Sequence, residues 1–421
     1  MRWGNPMEQR EIPRRTVLKT GAAAGLSGLA VLKLAGPAQA FPGHSGEGVL
    51  VPWIDPTPPV PPENAQILAH PLDWEHLDSW LTPNDEFFTV KHYQQPALSS
   101  VDWRLNVAGL VANPQTLSLA DLKSLPKQAV TFALECSGNT GGAPFAIGLI
   151  GNARWAGASL RQVLRQARPL RKGVEVIFWG ADSGPVTIHD NSGVNHPVPP
   201  DGVGLNNIIE RFARSMSLED AMAGDKLLCY EMNGVPLPPD HGAPVRLIAP
   251  DWYGVANVKW LTHIEITDAR YQGRFMARDY VSIREEQRGG DTVWTFTSVT
   301  HELLKSAPAK VTRQGDKYSV MGAAWGAPIA KVQVQVDGGQ WRTAKLRRHR
   351  SRGASSGHRD ESAWSFWTFD LGTPAPGEHS ISSRAVDEDG NVQPTPDHPR
   401  ITSRHTFWEN NSQITRRVLI P

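Results

Sequence analysis

Proline and glycine punctuate this chain 34 and 38 times in 421 residues, which leaves little room for long helices. Proline removes a backbone donor and clashes with the preceding helical turn, and glycine gives up more backbone freedom than any other residue. Fifteen tryptophans stand against that background, so the chain is expected to be loop-rich and mostly β, with substantial aromatic packing.

The amino terminus reads as an address. Pro13-Arg14-Arg15-Thr16-Val17-Leu18-Lys19 sets twin arginines before an uncharged apolar run from Gly21 to Leu32, and Ala38-Gln39-Ala40 supplies a small-x-small cleavage site. Residues 1–40 are therefore expected to be a twin-arginine signal peptide, removed on export to the periplasm. That route carries proteins already folded, commonly with a cofactor inserted. No later run approaches the roughly 20 apolar residues that a bilayer span requires.

About 380 residues remain, enough for two domains. The 43 basic and 42 acidic residues nearly cancel and form no long like-charge block, which gives no support to nucleic-acid binding. The one basic run, Lys345 to Arg352, lies in a Ser/Gly-rich stretch and is expected to be a solvated loop. Two cysteines cannot make a disulfide framework. Cys136 and Cys229 are able to pair in an oxidising compartment, but Cys229 lies in the apolar run Leu227-Leu228-Cys229-Tyr230 and reads as core.

Residues 41–70 are proline-rich and expected to run extended over the surface. From 71 to 304, short β-like runs alternate with short amphipathic segments. Trp103 to Ala108 alternates at period two, Val174 to Trp179 and Val245 to Ala249 read as strands, and Ser118 caps a helix with Asp121 in the capping-box position. Gly157 to Leu160 leads into a stronger helix over Arg161 to Arg165. From 305 to 421, short strands at 319–325, 329–336, 364–371 and 379–386 are separated by turns such as Asp337-Gly338-Gly339 and Asp389-Gly390-Asn391. Near-regular short strands without helices predict a β-sandwich of immunoglobulin size. The expected fold class is thus a mixed α+β domain followed by an immunoglobulin-like sandwich.

Several chemistries are excluded by their missing residues. His301-Glu302-Leu303-Leu304 is followed by Lys305, where a zinc protease needs histidine. Gly202 to Asn207 lacks the third glycine of a dinucleotide fingerprint. No P-loop, G-x-S-x-G elbow or haem-attachment motif occurs. His189-Asp190 beside several serines is too common a combination to imply a hydrolase triad, which is recognised by geometry.

What remains is Cys136, in a small-residue turn after the apolar run Val130 to Leu134. A cysteine so placed has two readings: a thiolate ligand for a soft metal, or a buried thiol behaving as a small hydrophobe. The placement after a strand end suggests the exposed, reactive kind.

Several words in order resemble the sulfite oxidase family of molybdenum enzymes, from about Leu81 to Arg404. Leu134-Glu135-Cys136-Ser137-Gly138-Asn139 is similar to that family's cysteine loop, whose thiolate binds molybdenum. Ala153-Arg154-Trp155-Ala156-Gly157 matches the following segment, and Trp179-Gly180-Ala181-Asp182 the strand end that supplies an aspartate. Leu228 to Gly234, then Asp240-His241-Gly242-Ala243-Pro244-Val245-Arg246, then Val258-Lys259-Trp260-Leu261 form the most specific run.

The resemblance implies a molybdenum–molybdopterin cofactor with Cys136 as metal ligand. His92, Asp182, His241, Arg246 and Lys259 would hold the pterin, a fork-shaped arginine with a lysine and a histidine suiting its phosphate. Tyr280 would stand beside the metal, and Arg404 would face the substrate from the second domain. Two departures stand out. The family usually has arginine two residues before the histidine, where Val90 stands here with Lys91 beside it, and it often has lysine after the tyrosine, where Val281 stands. The cysteine loop also runs into Thr140-Gly141-Gly142 where sulfite oxidases are usually arginine-rich. Either Lys91 supplies that positive charge, as a point charge in place of a bidentate fork, or the pocket has lost one cation.

The implied activity is oxygen-atom transfer to a small sulfur-containing anion, sulfite to sulfate first. Electrons would leave to an external acceptor, a c-type cytochrome, and the implied assembly is a homodimer. The alternatives are a subunit of a sulfane dehydrogenase, a sulfoxide reductase and a non-enzymatic binding module.

Overall fold

Alternation sets the first sheet. In Arg104–Gly109 every second side chain is buried, so the strand lays Leu105 and Val107 on a core and leaves its other face polar. This strand lies between Gln115–Ser118, antiparallel, and Leu261–Thr267, parallel; Glu175–Val186 and Ile208–Ser217 complete a five-stranded sheet. The computed structural model describes residues 48–55, 68–139, 148–186, 208–348 and 361–421. The twin-arginine segment, most of the proline-rich segment, Thr140-Gly141-Gly142, His189-Asp190 and the Gly202 to Asn207 run lie outside them.

A second sheet runs Val235–Pro236, Leu227–Met232, Ile150–Ser159, Lys127–Glu135, with Arg246–Ile248 also paired to Leu227–Met232. Its central strand Ile150–Ser159 is buried on both faces except at Arg154. Gly157 is required there: a Cβ would stand 2.1 Å from the carbonyl oxygen of Leu228 on the neighbouring strand. Lys127–Glu135 starts exposed and ends in five consecutive buried residues, which delivers Cys136 into the interior.

Helices are short. The longest among the described residues is Leu160–Ala167, capped by Ser159 and ended by Arg168 in the left-handed region at φ 58°. Leu119–Ser124 carries the capping box expected from Ser118 and Asp121. The described chain is therefore mostly β with few helices, a heavier β content than the mixed reading of residues 71–304 anticipates.

In the carboxy-terminal part, the strands Lys317–Trp325, Ile329–Val336, Ser365–Gly372 and Gly377–Asp387 fall where the alternation placed them. Two sheets face each other there. Val311, Val320, Trp367 and Phe369 from one meet Val332, Val334, Ile381 and Val418 from the other in a common core.

Two expectations are corrected. Val49–Val51, inside the supposed surface segment, pairs antiparallel with Lys305–Gln314, and Val51 and Trp53 enter the core. The prolines confine this strand to a sheet edge but do not keep its apolar side chains in water. Lys345–Arg348 is an edge strand on Ser365–Gly372 and not a loop. Cations on such an edge discourage pairing with a further strand; residues 349–352 lie outside the described set.

Candidate cofactor and active site

The cysteine turn is built by backbone hydrogen bonds. Cys136 N–H donates to the Leu149 carbonyl at 2.9 Å, and Asn139 N–H donates back to the Cys136 carbonyl at 2.9 Å. Asn139 then accepts the Leu149 N–H on its side chain at 2.8 Å. The expected exposed thiol is corrected: Cys136 is only 9% accessible, and burial pushes its thiol up to about 11. A metal taking this sulfur must displace the proton that burial holds on it. Cys229 is fully buried, and both cysteines are free.

Cys136 opens onto a pocket. Lys91, His92, Asp182, His241, Arg246, Lys259 and Tyr280 line it together with the cysteine. These residues come from distant parts of the chain, and the spacing between His241 and Arg246, around a turn into the strand Arg246–Ile248, puts both on one wall. Val90 lines the pocket too, with Lys91 next to it.

The basic wall is preorganised by main-chain acceptors. Arg246 donates from Nη1 to the His241 carbonyl at 3.0 Å and from Nη2 to the Asn257 carbonyl at 2.9 Å, with its guanidinium 5.0 Å from the Trp155 ring centre. Lys259 donates to the Val90 carbonyl at 2.9 Å and the Asp240 carbonyl at 3.2 Å. Burial, reinforced by Arg246, lowers the Lys259 ammonium to about 7. His241 donates from Nε2 to the Asn84 carbonyl at 2.9 Å, and burial keeps its ring neutral by lowering it to about 4. Burial raises Asp182 to about 6.

In the same pocket, His92 Nε2 and the Tyr280 hydroxyl share a hydrogen bond of 2.7 Å. Phe212 stacks on the His92 ring at 5.2 Å, and burial lowers this imidazole to about 3. Tyr280 stacks on Trp408 at 4.4 Å, which carries the carboxy-terminal segment onto the rim. Arg404 is not among the lining residues. It donates from Nη1 to the Trp408 carbonyl at 2.8 Å, and its backbone bridges to Arg284. Its Nε and Nη2 are buried without a partner among the described residues.

The donor set was tested against a pterin-held metal by what the protein leaves unsatisfied. Arg246 Nε and Asp182 Oδ1 are buried and unpartnered among the described residues, one donor and one acceptor on the same pocket. Buried polar groups are rarely left so unless a ligand completes them. A thiol, an orphan donor, an orphan acceptor and two cations fit an anionic, hydrogen-bonding cofactor that brings a soft metal.

Asn257, Phe212 and Gly254, which no sequence motif above singles out, also line the pocket. Asn257 accepts the Ala249 N–H at 2.7 Å and donates to the Trp252 and Tyr253 carbonyls, so it shapes the loop before Lys259. Its position two residues before Lys259 was the available signal; Phe212 offered none.

Fold and site define a molybdopterin-dependent oxidoreductase. The family model of the oxidoreductase molybdopterin binding domain matches residues 92–275, and that of the Mo-co oxidoreductase dimerisation domain matches residues 293–411. The chain is 33% identical to sulfite oxidase of Gallus gallus over 75% of its own length and 69% of that protein. It is 32% identical to the mitochondrial sulfite oxidase of Homo sapiens, over 75% of this chain and 58% of that protein. The sulfane dehydrogenase SoxCD of Paracoccus pantotrophus shares the fold, with a TM-score of 0.67 over 89% of this chain and 91% of that one at 24% identity. The chain belongs to the sulfite oxidase family, and its cofactor is molybdenum–molybdopterin.

Proposed function

We propose that this chain is a periplasmic oxidoreductase, exported by the twin-arginine route, that transfers an oxygen atom to a small sulfur-containing anion, with sulfite as the leading substrate. The observation that carries this is the convergence of Cys136, Tyr280, His92 and Lys91 with the basic residues His241, Arg246 and Lys259 on one pocket. When bound, the molybdenum centre supplies the two-electron oxidation coupled to oxygen transfer.

The protein's own residues do the rest. Cys136 holds the metal and tunes it as a thiolate ligand. Asp182, His241, Arg246 and Lys259 bind the pterin and its phosphate. Tyr280, a phenol that burial keeps protonated, orients substrate or product through its hydroxyl, itself positioned by neutral His92. Lys91 and, from the segment after Pro399–Thr402, Arg404 supply positive charge to an approaching anion. Electrons then pass to a separate carrier, a c-type cytochrome, and the working assembly is a homodimer through an immunoglobulin-like sandwich, in keeping with the dimerisation-domain match.

One observation favours a second reading, oxidation of another reduced sulfur compound by a sulfane dehydrogenase-type complex. Val90 stands on the pocket wall and leaves Lys91 as a point charge there, a poorer match to a dianion than a guanidinium fork. Turnover of the purified protein with sulfite, thiosulfate and methionine sulfoxide separates the readings. Sulfate production from sulfite, coupled to a cytochrome or to oxygen, is the expected result; sulfite that neither reduces the metal centre nor yields sulfate removes the first reading.

A further inference from the structure

Behind Cys136, on the side away from the pocket, a buried ion pair joins the two halves of the protein. Glu135 ends the strand Lys127–Glu135, and Lys305 opens the strand Lys305–Gln314 of the carboxy-terminal sheets. Lys305 Nζ lies 2.6 Å from Glu135 Oε1, with the two side chains 2% and 0% accessible. The same oxygen accepts Asn139 Nδ2 at 2.9 Å, and Asn139 is the residue that closes the cysteine turn onto Cys136 and Leu149. From the carboxy-terminal side, Glu302 accepts the Glu135 N–H on its carboxyl at 2.8 Å. Burial holds the Glu302 carboxyl well above the usual range, so Lys305 and Glu135 balance one charge against one.

Stability alone does not account for this arrangement. Two buried charges cost so much desolvation that an apolar pair of the same volume commonly holds a fold as well or better. What an ion pair does better is fix a register, because either charge left without the other is strongly penalised. Here the register is that of the cysteine turn against the first strand of the carboxy-terminal sheets.

We infer that Glu135 and Lys305 are positioning residues for Cys136: their contact sets the cysteine turn, so that capture of the metal depends on seating of the carboxy-terminal sheets. The inference rests on the reading of Cys136 as the metal ligand. The mechanism is geometric. Lys305 reaches Glu135, Glu135 holds Asn139, and Asn139 holds the turn that aims the sulfur into the pocket.

The test uses holoenzyme made in a host that synthesises the cofactor, comparing wild type with E135Q/K305Q, in which both charges leave together and no unpaired charge is buried. Molybdenum and pterin content, the EPR spectrum of the partly reduced enzyme and thermal unfolding are measured on each. The expected result is a loss of molybdenum of about tenfold, the scale seen when residues supporting metal ligands are removed, with an altered EPR spectrum in what remains. Wild-type molybdenum content and an unaltered spectrum, whatever the change in Tm, would overturn the inference. Should the double variant fail to fold, Glu135→Asp keeps the charge and shortens the reach by one methylene; the same spectral change is expected and an unchanged spectrum counts against it. Cys136→Ser separates the two ideas. If that variant keeps wild-type molybdenum and spectrum, the ligand reading fails; if it loses molybdenum while E135Q/K305Q does not, only the positioning inference fails.

Discussion

The Tyr280 hydroxyl sits 2.7 Å from Nε2 of His92, two residues 188 positions apart in the chain, at the edge of the pocket that Cys136 opens onto. With the imidazole held neutral by burial, the pair keeps the phenol in one orientation without adding a charge. Tyr280→Phe should therefore leave molybdenum content near wild type while lowering kcat/KM by about tenfold to a hundredfold. That is the range expected for losing one buried hydrogen bond to substrate worth about 1.5–3 kcal/mol. Metal analysis beside steady-state kinetics checks it; equal losses of metal and activity would assign Tyr280 a role in holding the cofactor.

Arg404 carries two buried nitrogens, Nε and Nη2, with no partner among the described residues, and its neighbour Arg284 adds to the positive charge there. Arg404→Ala should raise KM for an anionic substrate far more than it lowers molybdenum content. Equal loss of both would make the residue structural.

Lys259 gives a pH dependence of defined sign. Its folded value of about 7 lies well below the ordinary 10.5, so it is charged below pH 7 and neutral above. A phosphate needs the charged form. Retention of the cofactor should weaken as pH rises through about 7 at low occupancy, and Lys259→Gln should bind more weakly with that dependence gone. Dialysis at graded pH followed by molybdenum analysis reads both.

The two buried histidines act on stability in the opposite range. His92 and His241 titrate at about 3 and 4 in the fold, against about 6.5 when unfolded. Between these values the unfolded chain takes up protons that the folded chain refuses, so stability falls as pH drops below 6.5 and levels off beneath the folded values. Urea midpoints from pH 7 to pH 4 on cofactor-free protein should show this slope, and His92→Gln should flatten it.

Gly157→Ala should destabilise by about 3 kcal/mol, the upper part of the overpacking range, because the added carbon meets the Leu228 backbone and no flexible side chain can yield. Denaturant unfolding measures it.

Much of this molecule is legible in its residues because local chemistry announces itself. The helix at Leu119–Ser124 follows from a serine and an aspartate three residues apart, and the strand Arg104–Gly109 follows from alternation. The cysteine turn is a word that one short segment spells out. Less legible were the burial of Cys136 and the fate of Val51 and Trp53. Both depend on what another part of the chain lays over them: Lys305–Gln314 pairs with Val49–Val51, and the segment ending at Trp408 and Glu409 covers the cysteine turn.

Residue types and their spacing alone determined that this chain presents a thiol in a small-residue turn and a run of short strands, since each is a property of a few neighbouring positions; the set of cations came from the family resemblance. Only the tertiary structure decided that Lys305 meets Glu135, that Trp408 stacks on Tyr280 and that Arg404 stands off the pocket wall. Those contacts join positions tens to hundreds of residues apart, and side-chain packing in a dense interior selects such partners by shape and burial, which no local pattern encodes.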